Sequence, residues 1–395
     1  MEEELAKQRF RNLSLKGKVI VVNSLVLSKA WYLATVISLP DDMLKKIERL
    51  IRSFLWRQQG MKYDPIERKT LYQPKDKGGL DIKNPQTQQK ALQLNFFKNI
   101  LDHTNLNSSL QLPRYWIGFD LATLNPLLRN FPCLGATATQ NSKFSHYVKI
   151  LDVFKTFDIP ALPAPKFWTT RMFYGKLIEK DEHFPTAYTR YWNRPALGVN
   201  PETMWKQVHI SYAHGKYQDI HYRFLHRILP TNFYMKNRFK SRGFKNMNPN
   251  CASCPNAQET QEHVFLECAK ATPVMTYVTK SIDILLRRKP YNILDLLLNK
   301  FPNGTFLDIQ RMVTGILQIT MYTLWKNRNQ KKFKKTDTHI TESKNTILKH
   351  FRSAILQEYN KLLPDTPDKF VRKFCHTPEI CKLLDNNSLE VNLIE

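Results

Sequence analysis

Three cysteines and one histidine fall inside the run CASCPNAQETQEHVFLEC, and their spacing, C-x2-C-x8-H-x4-C, constrains the local fold more than any other feature of the chain. Nitrogen and sulfur donors at this density suit tetrahedral zinc, because the C-x2-C pair folds as a tight knuckle presenting two thiolates to one point. The second donor pair must then come from the segment that follows. Asn256 with Glu259 three residues later reads as a helix-opening capping box, which places His263 on a short helix and Cys268 near its end. Five residues of regular helix turn through about 500°, which leaves His263 and Cys268 roughly 140° apart. The last turn must therefore loosen, with Cys268 at or just past the helix end. Buried cysteines also pack as small hydrophobes, and a chance cluster of them is the competing reading. Against it, half of the six cysteines and a histidine share one polar, turn-rich window. Cys251, Cys254, His263 and Cys268 fill all four positions of a Zn2+ site, so no place remains for a catalytic water and the ion is expected to be structural. Such a site contributes on the order of 10 kcal/mol of apparent folding free energy.

The chain has 395 residues, enough for two or three domains, and 42% hydrophobic with 12% aromatic content supplies real cores. Sixty Lys and Arg against 34 Asp and Glu give a formal charge of +26, an excess that points to a polyanionic partner such as nucleic acid. Six cysteines over this length make no disulfide framework. The opening MEEELAKQRF lacks an apolar signal core, so a nuclear or cytoplasmic, reducing location is expected. Val19 to Leu39 is strongly apolar, yet Asn23, Ser24, Ser28 and Lys29 interrupt its centre. It reads as a buried helix and not a membrane span.

Periodicity predicts a mainly α-helical chain. Val19, Val22, Val26, Ala30 and Leu33 recur at helical spacing up to Pro40, and Asp41 or Asp42 caps a second helix with Leu44, Ile47, Ile51, Phe54 and Leu55 on one stripe. Gly60 ends it, and the two are expected to pair antiparallel and bury each other's stripes. A turn at Gly78 and Gly79 leads to a helix from about Pro85. Four regions follow from such signals: residues 1–103, helical; 104–200, a proline-broken connection; 201–275, a basic zinc-binding module; and 276–395, a C-terminal helical region in which Ile309, Met312, Ile316 and Ile319 share a face.

Arg223, Arg227, Lys236, Arg238, Lys240, Arg242 and Lys245 precede the knuckle, interleaved with aromatic residues from Tyr212 to Phe244. Cations neutralise phosphates and exposed rings stack unpaired bases, so this mixture suits RNA or single-stranded DNA, although many of the rings must be core. A second basic cluster after Trp325 holds Lys326, Arg328, Lys331, Lys332, Lys334 and Lys335, and alone it reads equally as a solvated helix face or a nuclear-import patch. His209, His214, His221 and His226 are weaker metal candidates whose spacing matches no familiar knuckle, and Cys375, His376 and Cys381 offer three ligands at best.

The run RNLSLKGKVIVVNSLVLSKAWYLATVISLP followed by FLW resembles the thumb segment of long-interspersed-element-type (non-LTR) retrotransposon reverse transcriptases. GGLDIKNPQTQQKAL resembles the family's next stretch, HRILPTNFYMKNRF with CASC and ETQEHVFLEC its zinc-binding module, and WKNRN a tryptophan and arginine-asparagine pattern that often follows. The resemblance implies a thumb-like helical bundle followed by a helical region with a small CCHC zinc knuckle, and a role in holding template RNA and target DNA. It also implies that Cys251, Cys254, His263 and Cys268 are the metal ligands. The family's palm carries an aromatic-x-Asp-Asp turn for the two catalytic metals, and the sequence is expected to start after it. Leu39-Pro40-Asp41-Asp42 mimics that string but reads as helix capping, and Pro367, Asp368 and Lys369 read as a turn and not a nuclease motif. A noncatalytic nucleic-acid-binding module is the expected function, and a zinc-stapled protein interaction scaffold is the alternative.

Overall fold

Helix boundaries follow local capping chemistry. The Asn84 Oδ1 accepts from the amides of Gln86 and Thr87 at 3.0 and 3.3 Å, opening a helix with proline first, where the missing N–H is no loss. Thr231 and Asn292 open two others in the same way. The computed structural model describes residues 1–56, 64–101, 107–116, 145–157, 167–179, 185–210, 212–239, 246–362, 367–384 and 388–394. The helices are α1 (Glu2–Arg9), α2 (Leu15–Val21), α3 (Ser28–Val36), α4 (Asp41–Trp56), α5 (Arg68–Tyr72), α6 (Pro85–Leu101), α7 (111–116), α8 (Ser145–Lys155) and α9 (Thr170–Glu179). They continue with α10 (Pro201–Ile210), α11 (Gly215–Leu225), α12 (Asn232–Arg238), α13 (Thr272–Leu285), α14 (Ile293–Leu297), α15 (Leu307–Asn329), α16 (Ile340–Leu362) and α17 (Pro367–Phe374). The only strands among the described residues, β1 (Cys381–Leu383) and β2 (Leu389–Val391), pair antiparallel with Lys382 opposite Glu390. The chain is thus mainly α, as expected. No helix among the described residues is long and apolar enough to cross a membrane.

Two compact units form. The first comprises residues 1–12, 18–64 and 81–183. A π turn over Val22–Leu27 joins α2 to α3, and its wider winding keeps the buried positions four apart, at Val22, Val26, Ala30 and Ala34. Leu33, expected on this stripe, is consequently 50% exposed. The α4 stripe is buried as expected, whereas Asp41 and Asp42 lie inside its first turn, where their charge meets the helix dipole, and not at the cap. The predicted pairing of the first two helices is corrected. α3 packs chiefly on α6, which also contacts α4, α8 and α9. The far end is closed by Lys18, whose Nζ donates to the Leu55 carbonyl at the end of α4. Under α6 the core is aromatic: Phe97 stacks on Phe154 at 6.0 Å, and Trp168 meets Phe173 edge-on at 5.5 Å. Gly60, and residues 117–144, 158–166 and 180–184 of the predicted connection, lie outside the described residues.

The second unit comprises residues 13–17, 65–80 and 184–395, so the regions read as 201–275 and 276–395 share one core. Its axis is α15, where Ile309, Met312, Ile316 and Ile319 are buried as expected, with Val313, Leu317 and Met321 buried as well. A helix apolar on more than one face belongs at the centre, and α11, α13 and α16 pack around it. Residues 65–80 enter through Gly78 at φ 83°, where a Cβ would lie 2.8 Å from Trp205. Only glycine lets that turn close on α10. The Gly78 carbonyl accepts from Tyr222 Oη and His226 Nε2, each at 3.0 Å. His221 is held between the Leu297 carbonyl, 2.6 Å from Nε2, and the Gln318 amide, 3.1 Å from Nδ1, which sets Nε2–H as the donor tautomer.

Burial pulls His221 down to about 4 and His226 to about 3 from the ordinary 6.5. Both bind protons more readily unfolded than folded, so their stabilisation is complete above pH about 6.5 and is lost as pH falls toward about 4. Each histidine adds a slope approaching about 1.4 kcal/mol per pH unit in that window. Urea denaturation between about pH 7.5 and pH 5 should show the decline, and His226→Gln should flatten it. An unchanged slope in that variant would mean His226 is not held neutral.

Candidate metal centre

The knuckle is closed by its own backbone. Asn250 bridges to Gln258, the Cys251 amide donates to Ala257 O at 2.9 Å, and the Ala257 amide donates to Cys254 O at 2.9 Å. The Ser253 amide points at Cys251 Sγ, 3.4 Å away. The capping box read at Asn256 and Glu259 is corrected. Asn256 lies in a turn, and the helical segment starts at residue 261 with Thr260 as the cap, its Oγ1 accepting from the His263 amide at 3.0 Å. Glu259 is unavailable for capping because its carboxylate is used elsewhere, as described below.

The predicted loosening of the last turn is present as a π turn. His263–Glu267 winds one residue wider than an α-helix, the Cys268 amide donates to His263 O at 2.8 Å, and Cys268 itself is extended at φ −65°, ψ 132°. The wider turn swings Cys268 back toward the knuckle. Its Sγ lies 3.9 Å from that of Cys251 and 3.8 Å from that of Cys254, and one donor atom from each of Cys251, Cys254, His263 and Cys268 lies within 4.8 Å of the rest. Among the described residues this is the only such group of His, Cys, Asp or Glu, and it can hold a metal ion.

Local electrostatics fit a cation. His263 Nε2 is buried with no protein partner, while Nδ1 faces Glu267 Oε2 at 3.8 Å. A buried ring nitrogen without a partner is costly unless an ion takes it. The hydrogen bond from Cys268 draws the Cys251 thiol down to about 5 against the opposing effect of burial, and the same contact together with burial pushes Cys268 up. Crowded sulfurs cannot all ionise alone, and a bound cation removes that conflict.

The centre is tied to the rest of its unit by a buried acid. Glu259 Oε1 accepts from the Asn232 amide at 2.7 Å and from Arg328 Nη2, and Oε2 accepts from Arg328 Nε at 3.2 Å. Glu262 takes Arg227 through both oxygens, and Gln261 Nε2 donates to Phe224 O at 3.0 Å. These bonds fix the knuckle to α11, α12 and α15. Beside it, Cys251, Cys268, Lys270, Arg328, Lys331 and Asp337 are among the residues lining a cavity of about 50 Å³.

The predicted phosphate-binding cations therefore divide. Arg223 is half-buried beside Asp219, Arg227 is paired with Glu262 and lies 4.6 Å from the Tyr191 ring centroid, and Arg328 is paired with Glu259. Internal acids meet these three charges. Arg238 and Lys326 are exposed and Lys236 is half-exposed, while Lys240, Arg242 and Lys245 lie outside the described residues. Of the interleaved rings, Tyr217, Tyr222, Phe224 and Phe239 are core. His221 and His226 serve the core, and both ring nitrogens of His209 are buried without protein partners. Pro367, Asp368 and Lys369, read as a turn, begin α17 because the following apolar residues Phe370 and Phe374 share a buried helical face. Sequence reasoning gives Glu259 a capping role and misses its pairing with Arg328; the one signal is that Glu259, Glu262 and Glu267 make the ligand window acidic in a strongly basic chain.

Fold and site together define a mainly helical protein with a Cys3His cluster placed closely enough to hold a metal ion. Comparison with protein-family models and with curated proteins gives no match.

Glu259→Ala strands Arg328 inside the fold, so denaturant unfolding should show a loss of about 3–5 kcal/mol. Arg227→Ala, which breaks a pair that keeps about a quarter of each side chain in water, should cost less, about 1 kcal/mol. Similar small losses for both would show that the Glu259 pair is not the anchor described here.

Proposed function

We propose that the chain is a zinc-stabilised, noncatalytic nucleic-acid-binding module of the non-LTR retrotransposon reverse transcriptase type, contacting RNA, target DNA or both. The observation that carries the reading is the closed donor set. Tetrahedral zinc with Zn–S bonds of about 2.3 Å needs sulfurs about 3.8 Å apart. The sulfur separations from Cys268, 3.9 and 3.8 Å, match that edge. Three thiolates and an imidazole are soft donors that favour zinc over magnesium or calcium. A carboxylate facing the far nitrogen of the histidine, as Glu267 does, is the usual way a ligating imidazole is oriented. Four protein donors leave no position for a reacting water, which supports a structural role.

The excess of 60 basic over 34 acidic residues supports a polyanionic partner, as does the lysine cluster that follows the metal-anchoring helix α15. Leu39-Pro40-Asp41-Asp42 runs into the first turn of α4, which supports reading those acids as helix-starting and not metal-binding. The likeness of HRILPTNFYMKNRF, the knuckle and WKNRN to the family's zinc-binding module supports the assignment to that type of protein.

Purified chain should contain about one zinc per molecule by elemental analysis, and Cys254→Ser should lose both the metal and cooperative unfolding of its unit. Metal-free protein that unfolds as cooperatively as the metal-loaded form would remove the structural role. For binding, the log of affinity for RNA or duplex DNA should fall linearly with log salt, by about 0.9 per duplex phosphate contacted. Alanine at Lys236, Arg238, Lys240 and Arg242 together should flatten the slope. A salt-insensitive interaction, of the kind an apolar protein interface gives, would favour the scaffold reading instead.

A further inference from the structure

Beyond α15 the chain remains helical but widens. Gln330–Lys334 forms a π turn that Lys335 closes in the left-handed region at φ 59°. Phe333 projects from this turn with 70% of its surface exposed. A lone exposed ring is ordinary on a protein surface. This one sits in the run Lys331, Lys332, Phe333, Lys334, Lys335, and the described residues leave most of it uncovered. The Lys332 ammonium lies 5.3 Å from the ring centroid and also reaches Asn232 Oδ1. Next to Asn232 stands a second exposed ring, Phe233. Lys331 pairs with Asp337 at 2.7 Å and lines the cavity beside Cys251 and Cys268. Lys334 and Lys335 are exposed and have no acidic partner among the described residues.

We propose that Phe333, with Lys332, Lys334 and Lys335, is a stacking site for an unpaired base of a single-stranded nucleic acid, set against the metal knuckle. The inference rests on the nucleic-acid reading above and adds to it a strand preference and a place. Lysines at this density hold phosphates whatever the sequence or pairing. An exposed ring adds something only where a base face is free, which a duplex denies along its length. Charge also decides between occupants: Lys332, Lys334 and Lys335, next to this ring in sequence, repel a basic surface and do little for an apolar one. The Glu259–Arg328 pair fixes the end of α15, so the turn that carries Phe333 is anchored to the metal site.

The test uses the full chain with short oligothymidylate, oligouridylate and a blunt DNA duplex. Phe333→Ala should weaken binding of both single strands on the order of tenfold and leave duplex affinity and salt slope unchanged. Phe333→Trp should retain binding and add tryptophan fluorescence that oligothymidylate quenches. Zinc content and denaturant midpoint, unchanged in both variants, would show that an exposed side chain was replaced without harm to the fold. If parent and Phe333→Ala bind single strands equally well, or if the variant loses single strand and duplex alike, the stacking site is overturned while nucleic-acid binding stands. A parent that binds none of the three probes overturns both.

Discussion

A carboxylate sealed from water must be given its cation by the protein, and Glu259 receives Arg328 from 69 residues further along the chain. Desolvating such a pair is expensive, so it contributes more to defining one arrangement than to raw stability. Here the arrangement is specific. The same carboxylate takes the first amide of α12, and its residue's backbone lies between the Gln258 bridge and the capping Thr260. Metal donors lie on either side of it in sequence. The backbone bonds of the knuckle and the wide turn that returns Cys268 to it hold residues 251–268 as a body, and the ion pair fixes that body to the end of α15.

What α15 transmits depends on how firmly it is itself held. It runs through the middle of its unit with Thr314, Gln318, Thr320 and Thr323 buried among apolar neighbours. These polar groups are bonded: Gln318 Nε2 reaches Val208 O at 2.9 Å, and the two threonines at 320 and 323 return their hydroxyls to carbonyls one turn back. Satisfied polar contacts in a core admit few alternative packings, because any shift would strand a donor. With His221 locked by Gln318 and Leu297, the helix has one rotation and one height. The basic turn at its end inherits both.

Much of this was legible in the sequence because it depended on counting. The ligand set follows from spacing, the loosened turn from the angle that five helical residues subtend, and the stripes of α4 and α15 from their period. Contact partners distant in the chain were not legible. An arginine among lysines looks like one more phosphate contact, and only the fold shows that Glu259 or Glu262 has claimed it. The exchange of Leu33 for Ala34 on the buried face depended on a π turn that no residue type announces. α3 packs chiefly on α6, a helix that begins nearly fifty residues after α3 ends, and no local pattern in the sequence points to that pairing. The two compact units interleave in sequence at residues 13–17 and 65–80, which no composition boundary marks.

The π turn between His263 and Cys268 also determines how the chain tolerates changes in length. With three intervening residues in place of four, an ordinary α-helical turn would bring the two donors to the same side. The wider turn takes up the fourth residue by moving the Cys268 amide to the carbonyl of His263, one residue further back than an α-helix would use. The four-residue spacing and the wide turn are thus one constraint, since the turn that carries Cys268 back to the knuckle is the one that four intervening residues call for.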